Sequence, residues 1–390
     1  MTPRNVYLEP LWNLHAFQRQ MLAYPPSGYA FVPDGDAPRA VVRLAARWQP
    51  ARRLLKAADV LIPTSLAKAW IARWKSPPQG TALTYAVDHV VFRREPWIVE
   101  VEYAGALVGV RPQHFGRFRR VAHRLLASPY CRRIVCWSEA GRRSLADLGR
   151  ERIEEKTDVV HYAVPPKPAV RHPAPGRVKL LFVGSGTSGG AFEGRGSEIF
   201  EVFVALRERY RHLDLVVRSD VPAYIRERYG GLEGLRIIDR PVPAAVLEQE
   251  FQTADIFLFP SYHTLPSTIL EAMSYELPVV TIDSWANAEY VQDGITGLIV
   301  SRPQTLPAHY GGTRQPSFLD ESFRGAVRRP DPECVAALTA AVAALIEQPD
   351  LRRRLGRGAR YEVEHGMFSL ARMNASLSRV FDEALIGPMA

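Results

Sequence analysis

The chain is short of cysteine, of long apolar runs and, in its first half, of acidic charge. Its three cysteines, Cys131, Cys136 and Cys334, are odd in number and form no CxxC pair. That argues against a disulfide framework and a structural zinc site, and small buried hydrophobes in a reducing compartment account for them. No N-terminal stretch has a signal-peptide h-region, and no apolar run is long enough to span a bilayer, so a cytoplasmic location is expected. No repeat is visible, no residue cluster has metal-ligand spacing, and no nucleic-acid motif accompanies the basic charge, so neither a metal nor a nucleic-acid partner is expected.

The acidic deficit is confined to one half. Residues 1–165 carry 25 Lys+Arg against 14 Asp+Glu, whereas residues 166–390 carry 25 against 27. The densest basic segment runs from Phe115 to Arg133. There Phe115, Phe118, Ala122, Leu125 and Leu126 recur at helical spacing among Arg117, Arg119, Arg120, His123 and Arg124. Two readings fit: a helix lying on an anionic membrane, making the protein peripheral at the inner face, or a surface helix with its apolar side in the core.

What is present suffices for two cores, with 390 residues of which 47% are hydrophobic. In the first half the strand candidates are Asn5–Leu8, Tyr29–Val32, Val60–Pro63, Thr81–Ala86, Pro96–Val101, Arg133–Trp137 and Thr157–His161. Helical patterns separate most of them, which predicts a parallel α/β sheet. Pro165 to Arg177 holds five prolines and no periodicity, and reads as an interdomain linker. A second series starts at Val178–Val183 and continues through Asp214–Arg218, Leu235–Ile238, Asp255–Phe259, Val279–Ile282 and Gly297–Val300. Two doubly wound, Rossmann-like domains in tandem follow. Residues 301–330 are long for a connection and read as a binding flap or a disordered insertion. Helical patterning resumes over Cys334–Glu347, Leu351–His365 and Ser369–Leu385.

The stretch Phe259 to Val280 is the most informative. An apolar strand precedes it and another ends it, so Ser267 to Glu276 reads as the helix of a βαβ crossover, capped by Ser267 or Thr268. A helix start beside strand ends suits an anionic ligand. Gly184-Ser185-Gly186-Thr-Ser-Gly189 spells GxGxxG after a strand, but Gly190, Gly194, Arg195 and Gly196 follow and helical patterning begins only near Ser197. A long glycine-rich loop brings backbone N–H groups to a phosphate, with Arg195 adding a charge-assisted contact. The dinucleotide-dependent oxidoreductase reading stays open beside it.

These pieces taken in order resemble the donor domain of family 4 retaining glycosyltransferases. They are Phe182-Val-Gly184, Arg195-Gly196, Ala254 to Ser261, Leu270-Glu271-Ala272-Met273, Leu277 to Val280, Glu289 to Gly294 and Thr296 to Val300. The first half is similar only at scattered points: Ala58-Asp59-Val60, Pro96 to Glu100, Ile134 to Ser138 and Val159-Val-His161. The resemblance implies the GT-B fold: an acceptor domain over 1–165, a donor domain over 166–366 facing it across a cleft, and a last helix over 367–390 that crosses back to the first domain. It further implies transfer of a sugar from a UDP- or GDP-sugar to a glycan or lipid-linked acceptor, with retention and without metal, as in bacterial surface glycan or glycolipid synthesis.

Carried over by position, the resemblance assigns Glu271 to the ribose hydroxyls and Arg195 to the donor diphosphate. Gly184, Ser185 and Gly186 fall in the phosphate loop, Val242 in the segment that reads the base, and Thr264, Leu265, Pro266 and Ser267 in the turn toward sugar and phosphate. The pattern fails at several places. His263 stands where the family has a glutamate, and it could bind a sugar hydroxyl or offset phosphate charge near neutral pH. Ser185 stands where the family has a second basic residue, for which Arg218 could substitute. Glu276 and Trp285-Ala286 stand where it has glycines. In the first domain Trp12, Asn13 and His15 occupy the place of a glycine-rich loop. Glu102 is the polar candidate where a histidine is usual. These departures also admit a GT-B protein that binds nucleotide without turnover.

Overall fold

The computed structural model describes residues 2–9, 16–33, 62–109, 112–149, 152–167, 176–184, 192, 196–304, 306 and 320–386. The chain forms two compact units, Met1–His161 with Ala371–Ala390, and Tyr162–Leu370.

The first unit is built on β1 (Arg4–Glu9), α1 (Ala16–Ala23), β2 (Tyr29–Pro33), α2 (Thr64–Ala72), β3 (Thr81–Val87) and β4 (Trp97–Val101), then α3 (Pro112–Leu126), β5 (Cys131–Cys136), α4 (Glu139–Ser144) and β6 (Thr157–Val159). All described pairings are parallel, in the order β2-β1-β3-β4-β5-β6. Every residue of β4 is buried, as expected when helices cover both faces of a parallel sheet.

The second unit follows with β7 (Val178–Val183), α5 (Glu198–Arg209), β8 (Leu213–Arg218), α6 (Ala223–Tyr229), β9 (Leu235–Ile238), α7 (Ala244–Thr253), β10 (Ile256–Phe259) and α8 (Pro266–Ser274). It continues through β11 (Val279–Ile282), α9 (Asn287–Tyr290), β12 (Gly297–Val300), α10 (Glu321–Ala326), α11 (Pro332–Glu347) and α12 (Pro349–Glu364). Its parallel sheet runs β12-β11-β10-β7-β8-β9. Counted within the unit this is the doubly wound order, and the winding reverses between β7 and β10. Strands β10 and β11 are wholly buried.

The last helix, α13 (Leu370–Ile386), belongs largely to the first unit. Phe381 packs edge-on to Tyr29, Phe31 and Tyr85. Asp382 accepts a hydrogen bond from the Tyr29 hydroxyl at 2.6 Å and pairs with Arg4.

Several expectations need correction. Val60 lies outside the described residues, and Ile62 and Pro63 form no strand: Pro63 is the N-cap of α2. The end of the 301–330 stretch is helix, not insertion. Asp320 caps α10 and Phe323 is fully buried, edge-on to Tyr262. A six-residue helix is too short to show a period. Residues 307–319 of that stretch, and 168–175 of the linker, lie outside the described residues. The apolar stripe of α3 picked out by its helical spacing does not face outward either. Ala122 and Leu126 belong to the first core, with Phe115, Phe118 and Leu125 packed against it. Among the described residues, no single helix is long and apolar enough to cross a membrane.

Candidate functional site

The site in the second unit grows from β10. Its four apolar residues end at Pro260, and a turn of five residues leads into α8. That helix starts at Pro266, with Leu265 as N-cap and no side-chain cap bond. Ser267 and Thr268 therefore do not cap it: a proline at the first helical position has no N–H to satisfy and its φ suits the helix, so the helix begins earlier than the pattern suggested.

Buried polar groups fix the turn on several sides. The Ser261 hydroxyl donates to the His263 carbonyl at 2.6 Å and accepts from its N–H at 3.2 Å. Thr264 donates to Asn287 Oδ1 at 2.7 Å and accepts from the Ala286 N–H. Asn287 Nδ2 donates to the carbonyls of Ser261 and Ile282, and Ser284 donates to the Tyr262 carbonyl. Ser261, Thr264, Ser284 and Asn287 are all at most 2% exposed. His263 is half-buried on this turn, and Leu265, Pro266 and Ser267 carry the chain into the first helical turn, where the Thr268 and Ile269 N–H groups donate to the Leu265 carbonyl.

Glu271 lies on the second turn of α8 and faces Lys167, a residue of the proline-rich connection. Lys167 Nζ stands 3.4 Å from Glu271 Oε1 and 3.1 Å from Glu248 Oε1. Burial raises the Glu271 carboxyl above the usual range, against the charge of Lys167. Burial opposes the charge on Lys167, but its hydrogen bond to Glu248 and the charge of Glu271 hold its pKa above the ordinary value. Two carboxylates thus share one ammonium, and about a third of the Glu271 side chain stays open to solvent.

Gly184 directly follows β7. A Cβ there would fall 2.7 Å from Ser219 Oγ and 3.1 Å from the Phe182 ring, and one at Gly196 would fall 2.8 Å from the same ring. Glycine at both places lets the strand end and the start of α5 close on Phe182. Arg218, at the end of β8, donates from Nη1 to the Gly184 carbonyl at 3.0 Å, so it stands at the strand end that the glycine-rich loop leaves. Its Nε is buried with no partner among the described residues. Val242 is half-buried in the loop between β9 and α7. Gly184, Arg218, His263 to Ser267 and Glu271 thus lie at or beyond the carboxyl ends of β7, β8 and β10, beside the reversal point where ligands bind in open α/β sheets, whereas Val242 follows β9 at the sheet edge. Ser185, Gly186 and Arg195 lie outside the described residues, as do Trp12, Asn13 and His15. Helix α5 begins at Glu198, and Gly189, the third glycine of the dinucleotide fingerprint, lies outside the described residues.

Two further residues belong here that the sequence did not single out. Glu198, on the first turn of α5, is fully buried and accepts a hydrogen bond from the Tyr262 hydroxyl. Burial pushes its carboxyl up to about 7. Lys167 was hidden among prolines. Neither has a motif; only the charge in an otherwise apolar or prolyl setting could have marked them.

In the first unit, polar groups collect at the ends of β1, β3 and β4, where that sheet reverses. Glu9 is paired with Arg93 and faces His89 Nε2 at 3.4 Å, while His89 Nδ1 donates to the Val87 carbonyl. Burial opposes the charge on Glu9, but His89 and Arg93 outweigh it and lower the pKa. Glu100 is fully buried, bonded by Gln18 and by the Tyr85 hydroxyl, and burial holds it well above the usual range. Glu102 is half-buried and its N–H donates to Asp88 Oδ1 at 3.0 Å. Burial and the charge of Glu102 push Asp88 up to about 7. Glu102 therefore sits in a group of three carboxyls rather than alone.

A cavity of about 430 Å³ opens at the other end of the second sheet, lined by Arg177, Lys179, Asp214, Arg236 and Asp255 among others. Its cations are already matched: Arg177 by Asp214, and Lys179 and Arg236 by Glu250. Among the described residues, no three His, Cys, Asp or Glu side chains come together as a metal site.

Residues 197–309 match the family model described as glycosyl transferases group 1. No curated protein matches the sequence. Solved structures that the fold resembles include HepE of Anabaena, crystallised with UDP and glucose (TM-score 0.61, 13% identity, covering 97% of this chain and 99% of that one). A glycosyltransferase of Rickettsia africae is similar at TM-score 0.61 and 12% identity over 99% and 100% of the two chains. Sucrose-phosphate synthase of Thermosynechococcus elongatus is similar at 0.56 and 14% over 83% and 77%. The chain has the GT-B fold, and the segment of its second unit that is similar to the group 1 glycosyl transferases spans α5, the fixed turn, Glu271 and β12.

Proposed function

We propose that the protein transfers a sugar from a nucleotide-sugar donor to an acceptor hydroxyl, with retention at the anomeric carbon and without a metal, as the family 4 resemblance implies. The observation that carries this reading is Glu271, held on α8 one turn beyond a rigid, buried-bonded turn at the reversal point of the second sheet, inside the segment matched by the group 1 model. A carboxylate there can accept hydrogen bonds from both ribose hydroxyls. Uridine is the favoured base, since HepE was solved with UDP and with UDP-glucose.

In the proposed reaction the bond from the sugar's anomeric carbon to the leaving phosphate oxygen breaks, and a bond to the acceptor oxygen forms on the same face. The acceptor's proton passes to the leaving diphosphate. Arg195, with Arg218 beside Gly184, would stabilise that diphosphate by fixed positive charge. His263 and the backbone N–H groups of Thr264, Leu265 and Ser267 would meet the sugar and phosphate. Glu102, within the carboxyl group of the first unit, is the candidate near the acceptor, with Trp12, Asn13 and His15 on the acceptor side. The acceptor is a glycan or a lipid-linked glycan of a bacterial surface pathway, and the enzyme works in the cytoplasm, at the inner face of the membrane.

The test is a panel of UDP- and GDP-sugars screened by thermal shift, followed by detection of free nucleotide with acceptor added. A raised midpoint and acceptor-dependent nucleotide release are expected. Binding without release on any acceptor would indicate the non-catalytic reading, and stabilisation by NAD alone would indicate a dinucleotide enzyme.

A further inference from the structure

The first unit carries an aromatic face that its core does not use. On α2, Leu66 and Ala69 turn inward and are buried, while Trp70 and Ile71, with Ile62 just before the helix and Trp74 in the turn after it, are 48, 67, 55 and 77% exposed. The C-cap Arg73 keeps the right-handed helical conformation and the Trp74 N–H donates to the Ile71 carbonyl, so the chain continues past the helix end in a tight turn. The Arg73 guanidinium lies 3.5 Å from the Trp70 ring centroid and 4.3 Å from that of Trp74, so the two indoles and the cation are held together. Trp70 also meets Phe92 edge-on at 5.2 Å, and Arg93 Nη1 donates to the Ala72 carbonyl at 2.9 Å, fixing the end of the helix.

Helix α3 lies beside this face. Both helices pack on the short 3-10 helix Ala104–Val108, and a Cβ at Gly109 would fall 2.9 Å from Pro63 at the start of α2 and 3.0 Å from His114 at the start of α3. With its apolar side in the core, α3 exposes Arg117, Arg119, Arg120, Val121 and Arg124. The two sequences, Ile62 to Val87 and Ala104 to Ser138, contain no acidic residue. A pair of indoles flanked by arginines, with no acidic charge from either segment, matches the boundary between headgroups and acyl chains of an anionic bilayer, where tryptophan and basic side chains are both favoured.

We propose that this α2–α3 face seats the protein on an anionic lipid surface, the indoles of Trp70 and Trp74 with Ile71 entering the boundary and the α3 arginines meeting the headgroup phosphates. The hydrophobic contribution thus comes from α2, not from the basic helix itself. The proposal is independent of the donor site and stands or falls separately from it.

The test is sedimentation of the full chain with vesicles of phosphatidylcholine alone or mixed with phosphatidylglycerol. The wild type should bind the mixed vesicles roughly tenfold or more tighter than the neutral ones, with binding weakening as salt rises. Trp70→Ser with Trp74→Ser should weaken binding to the mixed vesicles about tenfold or more, and so should Arg119→Glu with Arg120→Glu. Because these side chains are exposed, both pairs should keep the wild-type circular dichroism. Acyl-chain bromination should quench tryptophan fluorescence in the wild type and far less in the double Trp variant. No binding to anionic vesicles, binding unaffected by both pairs, or loss of a lipid-free dimer in the Trp variant would each overturn the proposal, the last by showing an interface between copies.

Discussion

At the scale of single residues, two departures from the resemblance fall where the backbone is left-handed. Glu276 and Trp285, which stand where glycines are usual, have φ of 61° and 49°. A side chain in that left-handed region costs about 1–2 kcal/mol. Glu276→Gly should therefore stabilise the protein by roughly 0.5–1 kcal/mol after the larger entropy of an unfolded glycine is subtracted, read as a higher midpoint in urea. Trp285→Gly should do the opposite, because Trp285 is 5% exposed and its removal leaves a large hole. Glu198 gives a pH prediction. Its folded pKa of about 7 lies above the ordinary glutamate value of 4.5, so the associated stability is complete below about 4.5 and is lost as pH rises through 7. The total is about 3 kcal/mol. In Glu198→Gln, chemical denaturation across this range should show a decline smaller by about that amount.

At the scale of elements, strands were readable because buried parallel strands are nearly continuous apolar runs: Ile256–Phe259 and Val279–Ile282 show no alternation to confuse them. What misled was local. Pro266 moved the start of α8, Pro63 ended an expected strand, and the six residues of α10 were too few to display a period. The position of Glu271 on α8 was legible, but its pairing with Lys167 was not, since that contact joins residues far apart in sequence. The same holds for Asn287, an unremarkable residue in sequence that holds the turn before α8. Asn287→Ala leaves two buried carbonyls and the Thr264 hydroxyl without their partner. We expect a loss of about 3 kcal/mol in denaturant unfolding and a raised KM for the donor as the turn loosens.

At the scale of the whole molecule, the chain leaves its first unit at His161 and returns to it with α13. The expectation of a returning helix came from resemblance alone, because no pattern in Ser369–Leu385 names its partner. Phe381, fully buried against Tyr29, Phe31 and Tyr85, carries much of that return. Phe381→Ala should cost about 3–5 kcal/mol, seen as early unfolding of the first unit in hydrogen exchange of β1 to β3. The described residues proposed for the donor site all belong to the second unit, and Glu271, the residue on which that proposal rests, can be tested directly. Isothermal calorimetry of UDP-glucose with the wild type and with Glu271→Ala is that measurement. Loss of charge-assisted bonds to the ribose predicts roughly ten- to hundredfold weaker binding in the variant. Equal affinity in the two proteins would contradict the assignment of Glu271 and the nucleotide site built on it.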